Sequence, residues 1–248
     1  MADDSPYGSR FFAGQGGRSS RSAEIVAPIL LELFPSRSVV DVGCGVGGWL
    51  DAFGRLGVER LLGVDGDYVD RAQLRIDPAL FTAADLTQPF RAGRFDLALS
   101  LEVAEHLAED HAETFVDTLT GLSDRVVFSA AIPGQGGTHH VNERWPEYWR
   151  GLFARRGYRV FDCIRPRIWS LDGVNGVYRQ NLLAFVKDGT PFDPPPVAPP
   201  LDVVHPMVWD ALVQKTQRSR NRPVRRFLRE RMREPLRALR ARLGLRKE

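Results

Sequence analysis

Two groups of residues in this chain have the types and spacing to do chemistry. The first is Asp41-Val42-Gly43-Cys44-Gly45-Val46-Gly47-Gly48. The apolar run that carries Asp41, Val39 to Val42, reads as a buried parallel strand. The glycine-rich loop then opens a helix from Gly48 to about Leu56, whose unpaired N–H groups face whatever binds above the strand. Side chains in such a loop would keep the backbone away from a ligand, so the glycines point to a cradle for a nucleotide-type cofactor. The second group is Glu102-x-x-Glu105-His106. On a helical start these three residues share roughly one face. Two carboxylates and an imidazole suit a hard or borderline divalent ion. Further on, Ser129 to Pro146 reads as a loop with His139-His140 and Asn142-Glu143. One of its histidines is expected in the site as base or ligand, and His140 is the choice.

The glycine loop alone fits two cofactors. Gly43, Gly45 and Gly48 satisfy G-x-G-x-x-G, the dinucleotide fingerprint. Asp41, Gly43, Gly45 and Gly47 satisfy D-x-G-x-G-x-G, which resembles the loop of class I S-adenosylmethionine (SAM) methyltransferases. Leu61 to Asp65 reads as a second strand ending in an acid, which can hold a ribose in either case. Asp85, after a third short strand, matches the place where methyltransferases hold the adenine amino group. Arg94 to Leu107, with Ser100-Leu101-Glu102-Val103-Ala104-Glu105-His106-Leu107, is similar to the fourth-strand motif of the same superfamily. The resemblance implies a cofactor set of Asp41, Gly43, Cys44, Gly45, Asp65, Gly66, Asp85, Leu86 and Ser100.

A similar E-x-x-E-H occurs in ubiquinone-biosynthesis O-methyltransferases and in methyltransferases of the terminal ribose of small RNAs, where it binds a divalent metal. By that resemblance Glu102, Glu105, His106 and His140 would hold Mg²⁺ or Mn²⁺, and His140, His106 and Glu102 would be the catalytic groups. Residues 10–187 resemble bacterial methyltransferases of polysaccharide and glycan gene clusters, through the S-L-E-V-A-E-H-L run and the P-G-Q-G-G-T-x-H-V-N-E loop. The expected fold is α/β and Rossmann-like, a seven-stranded, mainly parallel sheet with helices on both faces. The expected activity is SAM-dependent O-methylation of a sugar or glycan hydroxyl. A nucleic-acid methyltransferase using a basic tail is the alternative, then a non-catalytic SAM-fold binding protein, and last an NAD enzyme. Arg165-Pro166-Arg167-Ile168-Trp169 and Tyr178-Arg179-Gln180-Asn181 can serve a pocket or merely its edge. His111 and His205 read as surface residues.

Strands are expected at 39–42, 61–65, 80–83, 95–100, 125–131, 158–164 and 181–186, and a helix at 23–34. The last two strands are expected to be antiparallel, joined by an irregular link without a clear helix. The chain then divides into a mobile segment at 1–21, in which Gln15 and Arg18 could fold over the cofactor, a methyltransferase domain at 22–187, a linker at 188–200 with six prolines, and a tail at 201–248. Of 248 residues, 43% are hydrophobic, enough for one full α/β core. Two cysteines, Cys44 and Cys163, make no disulfide framework or zinc site. The net charge of +3 is polarised: residues 215–248 carry fourteen Lys and Arg against three acids, so the rest of the chain is acidic. The tail reads as a basic amphipathic helix, kinked or split at Pro235, that suits an anionic membrane face or, equally, solvent or a packing partner. Cytoplasmic residence is expected, with peripheral contact at the inner membrane face.

Overall fold

The computed structural model describes residues 9–193 and 201–216, with side chains from residue 19 onward. Helix α1 (Ser9–Leu33) is followed by β1 (Ser38–Val42), α2 (Gly48–Arg55), β2 (Arg60–Asp65), β3 (Phe81–Ala83) and β4 (Leu97–Leu101). Then come α3 (Ala112–Leu122), β5 (Arg125–Ser129), α4 (Pro146–Ala154), β6 (Tyr158–Phe161), α5 (Arg165–Ile168), α6 (Gly176–Asn181) and β7 (Leu183–Lys187). The seven strands form one sheet in the order β3-β2-β1-β4-β5-β7-β6. All neighbours are parallel except β7, which runs antiparallel to both β5 and β6. The fold is the Rossmann-like seven-stranded arrangement that the sequence implied.

The central strands are buried along their whole length, as a sheet covered on both faces requires. Alternate residues of β1 serve opposite layers. Val39 packs with Ala27, Leu30 and Phe53 on one face, while Val40 and Val42 pack with Phe115 and Leu119 on the other. The chain order reverses at β1, which lies between β2 and β4. In such sheets the crevice above the strand ends at the reversal is where ligands bind.

Three expectations need correction. The first helix starts at Ser9, so much of the segment read as irregular is helical. Its serines and glycines have low helix propensity, but Val26, Ala27 and Leu30 are fully buried and tertiary packing overrides the local preference. The link between β6 and β7 holds two helices, α5 and α6, too short to show a 3.6-residue period; α6 begins where Asn175 accepts from the Val177 N–H. His205 is buried, 5% exposed, with its backbone N–H donated to Gln180 Oε1 at 2.8 Å. The described residues up to His205 form one compact unit, and those from Pro206, helical over 206–216, belong to a second. The amphipathic pattern predicted for 215–248 falls almost wholly outside the described residues, as do the Gln15 and Arg18 side chains. Among the described residues no helix is long and apolar enough to cross a membrane.

Candidate active site

The ends of β1, β2 and β4 open into a cavity of about 290 Å³. Its floor is the glycine loop. Gly43, Gly45 and Gly47 have φ of +85°, +54° and +79°, the left-handed region that a side chain disfavours. At Gly43 space also forbids a side chain, because a Cβ would lie 2.3 Å from Val103 Cγ2. The Gly43 and Cys44 N–H groups donate to the Val64 carbonyl and tie the loop to β2.

Asp65 ends β2, and its carboxylate organises the loop. It accepts from the Gly45 N–H (2.7 Å), the Gly66 N–H (2.7 Å) and the Tyr68 hydroxyl (2.5 Å). Asp41 is 2% exposed, lines the cavity and receives no hydrogen bond from the described residues. Burial, with Asp65 nearby, pushes its pKa up to about 8. Asp85 lies at the far wall beside Leu86, in a turn where its carboxylate accepts from the Thr87 N–H and hydroxyl. Ser19, Ser20, Trp49 and Tyr178 form the remaining wall, with the Ser19 and Tyr178 hydroxyls 3.0 Å apart. Ser19 and Ser20 were not anticipated, since they stand in the segment read as irregular. Ser100 is not in the lining: it is fully buried within β4, and the strand end that faces the cavity is Leu101-Glu102.

Of the two cofactors that the glycine loop allows, the lining suits one. Among the described residues it holds Asp41, Asp65, Asp85 and Glu102 and no lysine or arginine. A dinucleotide brings a pyrophosphate, whose charge an acidic lining with no described counter-charge does not neutralise. SAM brings a sulfonium and an ammonium, and the unpartnered Asp41 is a ready acceptor for positive charge. The family model of a methyltransferase domain matches residues 15–162. The chain belongs to the methyltransferase-domain family. Its fold is the one the sequence resembled, that of class I SAM-dependent methyltransferases. Solved structures share its fold at low sequence identity. TnmH is 19% identical with a TM-score of 0.51, over 72% of this chain and 57% of its own. An O-methyltransferase family protein from Burkholderia thailandensis is 13% identical with a TM-score of 0.55, over 73% and 59%. DesVI from Streptomyces venezuelae is 16% identical with a TM-score of 0.52, over 71% and 95%. The chain thus spans less than two thirds of the length of the first two. Curated proteins offer no match to it.

Beside the cofactor cavity the methyltransferase carries a second constellation. Glu102 follows β4 directly, with φ +58°. That conformation costs an ordinary residue about 1 kcal/mol or more. It is held by the Glu102 N–H, which donates to the Ser129 carbonyl and hydroxyl on β5. The side chain accepts from Gln135 Nε2 (2.8 Å) and Asn181 Nδ2 (3.0 Å). Burial raises its pKa, and the Asn181, Gln135 and Ser129 hydrogen bonds oppose the rise. The turn after Glu102 is not an α-helix: only Ala104–His106 forms a single 3₁₀ turn. The face that Glu102, Glu105 and His106 were expected to share therefore does not form.

The structure instead groups Glu105, His106 and His140, whose ligand atoms lie within 4.8 Å of one another. The loop after β5 brings His140 there, because the Val141 and Asn142 N–H groups both donate to the Glu105 carbonyl. The two imidazoles meet edge to face at 4.9 Å. Both Glu105 carboxylate oxygens are buried and receive no well-formed hydrogen bond among the described residues, with only the Glu105 and Ala131 backbone N–H groups near enough to favour the charge. Burial and the neighbouring Glu102 push the Glu105 pKa well up. Burial, with His140 beside it, depresses that of His106 to about 4, so its ring is neutral at pH 7. A buried carboxylate without a partner is costly unless something positive binds it. Two imidazoles and that carboxylate form a donor set for a divalent cation. Glu102 stands outside the set, and His139 is exposed. Asn181 belongs to the Tyr178-to-Asn181 run that the sequence marked for a pocket or its edge, whereas no role for Gln135 was expected, since an amide has no chemistry of its own to betray it.

Proposed function

We propose that this methyltransferase transfers a methyl group to a hydroxyl of a sugar or glycan, with a divalent cation held by Glu105, His106 and His140. The observation that carries the reading is the buried Glu105 carboxylate, with no side-chain hydrogen-bond partner among the described residues, beside two imidazoles, one of which, His106, also lines the cofactor cavity. The similarity to an O-methyltransferase family protein supports oxygen as the acceptor atom.

Asp41 and Asp65 would hold the donor, Asp41 at a cationic group and Asp65 at the ribose, while Asp85 and Leu86 frame the adenine. SAM supplies a methyl group on a sulfonium, which leaves as a neutral thioether. The cation, Mg²⁺ or Mn²⁺, lowers the pKa of a coordinated hydroxyl. A vicinal diol, which sugars offer, suits such a centre. Glu102 faces the same cavity with its carboxylate fixed by two amides, so it can accept a hydrogen bond from the acceptor hydroxyl and hold it in line. A His106 that ligates the cation has no lone pair left for a proton, so the Glu102 carboxylate is also the group that would take the proton of the acceptor hydroxyl. Tyr178 and Trp49 close the other side, T-shaped to each other at 5.3 Å, and exclude water.

The test is a panel of nucleotide sugars, oligosaccharides, catechols and oligoribonucleotides with radiolabelled SAM, with Mn²⁺ or with EDTA. Cation-dependent labelling of a sugar hydroxyl is the expected result. Transfer to a nitrogen, or transfer indifferent to EDTA, would overturn the reading. Labelling of RNA alone would favour the alternative acceptor.

A further inference from the structure

Glu143 is absorbed by none of this, yet the loop after β5 is built around it. Its Oε2 accepts from the Gly134 N–H at 2.7 Å. Its Oε1 accepts from the Gly136 N–H at 2.5 Å and faces His140 Nδ1 at 2.9 Å. Gly134 and Gly136 have φ of +86° and +67°, the conformation that turns successive N–H groups toward one anion. Two backbone N–H groups and the His140 ring nitrogen thus converge on one carboxyl group, the setting of an acceptor-only carboxylate. Gly137 serves a different end. A Cβ there would lie 2.1 Å from His140 Nε2, so the position must be bare for the imidazole to occupy its place. The run Gly134-Gln135-Gly136-Gly137 thus shapes a seat for one carboxylate and one imidazole.

An ionised carboxylate accepts only. Facing it, Nδ1 must carry the ring proton, which leaves Nε2 as the lone-pair nitrogen. We propose that Glu143 is the positioning residue of the cation centre: it locks His140 in the Nδ1-protonated tautomer and presents Nε2 beside Glu105 and His106. This rests on the cation reading of the site. It goes further in making the affinity for the cation depend on a residue that never touches it. A carboxylate behind a ligating histidine fixes ring orientation and raises ligand basicity, and its loss typically lowers metal affinity about 10–100-fold.

The experiment uses the full chain, stripped with EDTA, as wild type, Glu143→Ala and Glu143→Gln. Calorimetry with Mn²⁺ reads affinity, and long-range ¹H–¹⁵N spectra of labelled histidines read the tautomer, with His140→Ala for assignment. Wild type should show Nδ1-protonated His140. Glu143→Ala should mix the tautomers and lose Mn²⁺ affinity about 10–100-fold, with S-adenosylhomocysteine binding unchanged. Glu143→Gln keeps the shape and a carbonyl acceptor, so it should lie between on both readouts; it decides the matter if the alanine variant does not fold. An Nε2-protonated His140 in wild type, or full Mn²⁺ affinity in a folded variant, overturns the role of Glu143. Wild type that binds no Mn²⁺ overturns the cation reading itself, while the tautomer still decides whether Glu143 orients His140.

Discussion

Replacing Asp41 with asparagine should separate the stability of the cofactor site from its function. Burial beside Asp65 places the Asp41 pKa at about 8, against 3.8 for the free side chain. The folded pKa is raised, so between these values the folded state binds more protons than the unfolded one. Stability therefore falls as pH rises from about 4 to 8. At pH 7 the gap between the two pKa values corresponds to about 4 kcal/mol of stability lost relative to pH below 4. Asparagine keeps the shape and removes the charge. The variant without cofactor should be more stable than wild type at pH 7–8, and the difference should vanish near pH 4. For a domain of this size the gain is roughly 8–16 °C in Tm. Binding should move the other way, since a cationic ligand group needs the carboxylate. If bound Asp41 is ionised, wild-type affinity for S-adenosylhomocysteine should rise about 50-fold from pH 6 to pH 8, in step with the ionised fraction. The variant should bind weakly and without that pH dependence. Thermal unfolding across pH gives the first quantity, and calorimetry in two buffers of different ionisation enthalpy gives the second with its proton release. A variant less stable than wild type at pH 8, or one that binds S-adenosylhomocysteine with the wild-type pH profile, would refute the argument.

Further outcomes follow from the neighbouring residues. Glu102→Gln should reduce methyl transfer at least 100-fold, with S-adenosylhomocysteine affinity within a few-fold of wild type; a comparable loss of both would make Glu102 a cofactor residue. Glu105→Gln removes the carboxylate from the three-residue donor set and should abolish Mn²⁺ binding in calorimetry while S-adenosylhomocysteine still binds. Gln180 links His205 to Asn181, so Gln180→Leu leaves buried polar groups unpaired and should cost about 1–3 kcal/mol in urea unfolding. Wild-type stability in that variant would show that the amide chain contributes nothing. Gly43→Ala should lose folded protein or cofactor binding, because its Cβ has no room beside Val103.

The cofactor half of this protein is legible in the sequence, and the acceptor half is not. A strand that ends in Asp41 and runs into Gly43-Cys44-Gly45 declares its conformation locally, because only glycine accepts those dihedrals so cheaply. The spacing of Asp65 and Asp85 behind later strands follows from the same repeating unit. The sequence order also carried the antiparallel last strand, through its likeness to a known fold. What it could not carry was the grouping of side chains across β4 and β5. Glu102 was placed with Glu105 and His106 on a helical face, but its positive φ, set by hydrogen bonds from its N–H to Ser129 on the next strand, turns it to Gln135 and Asn181 instead. His140 could be chosen over His139 only narrowly from the sequence, and it joins His106 because two backbone N–H groups pin its loop to the Glu105 carbonyl. His205 looked like a surface residue until Gln180 and Trp169 enclosed it. Local dihedral demands are written in residue types. Contacts between segments far apart in the chain are decided by how the sheet brings their ends together.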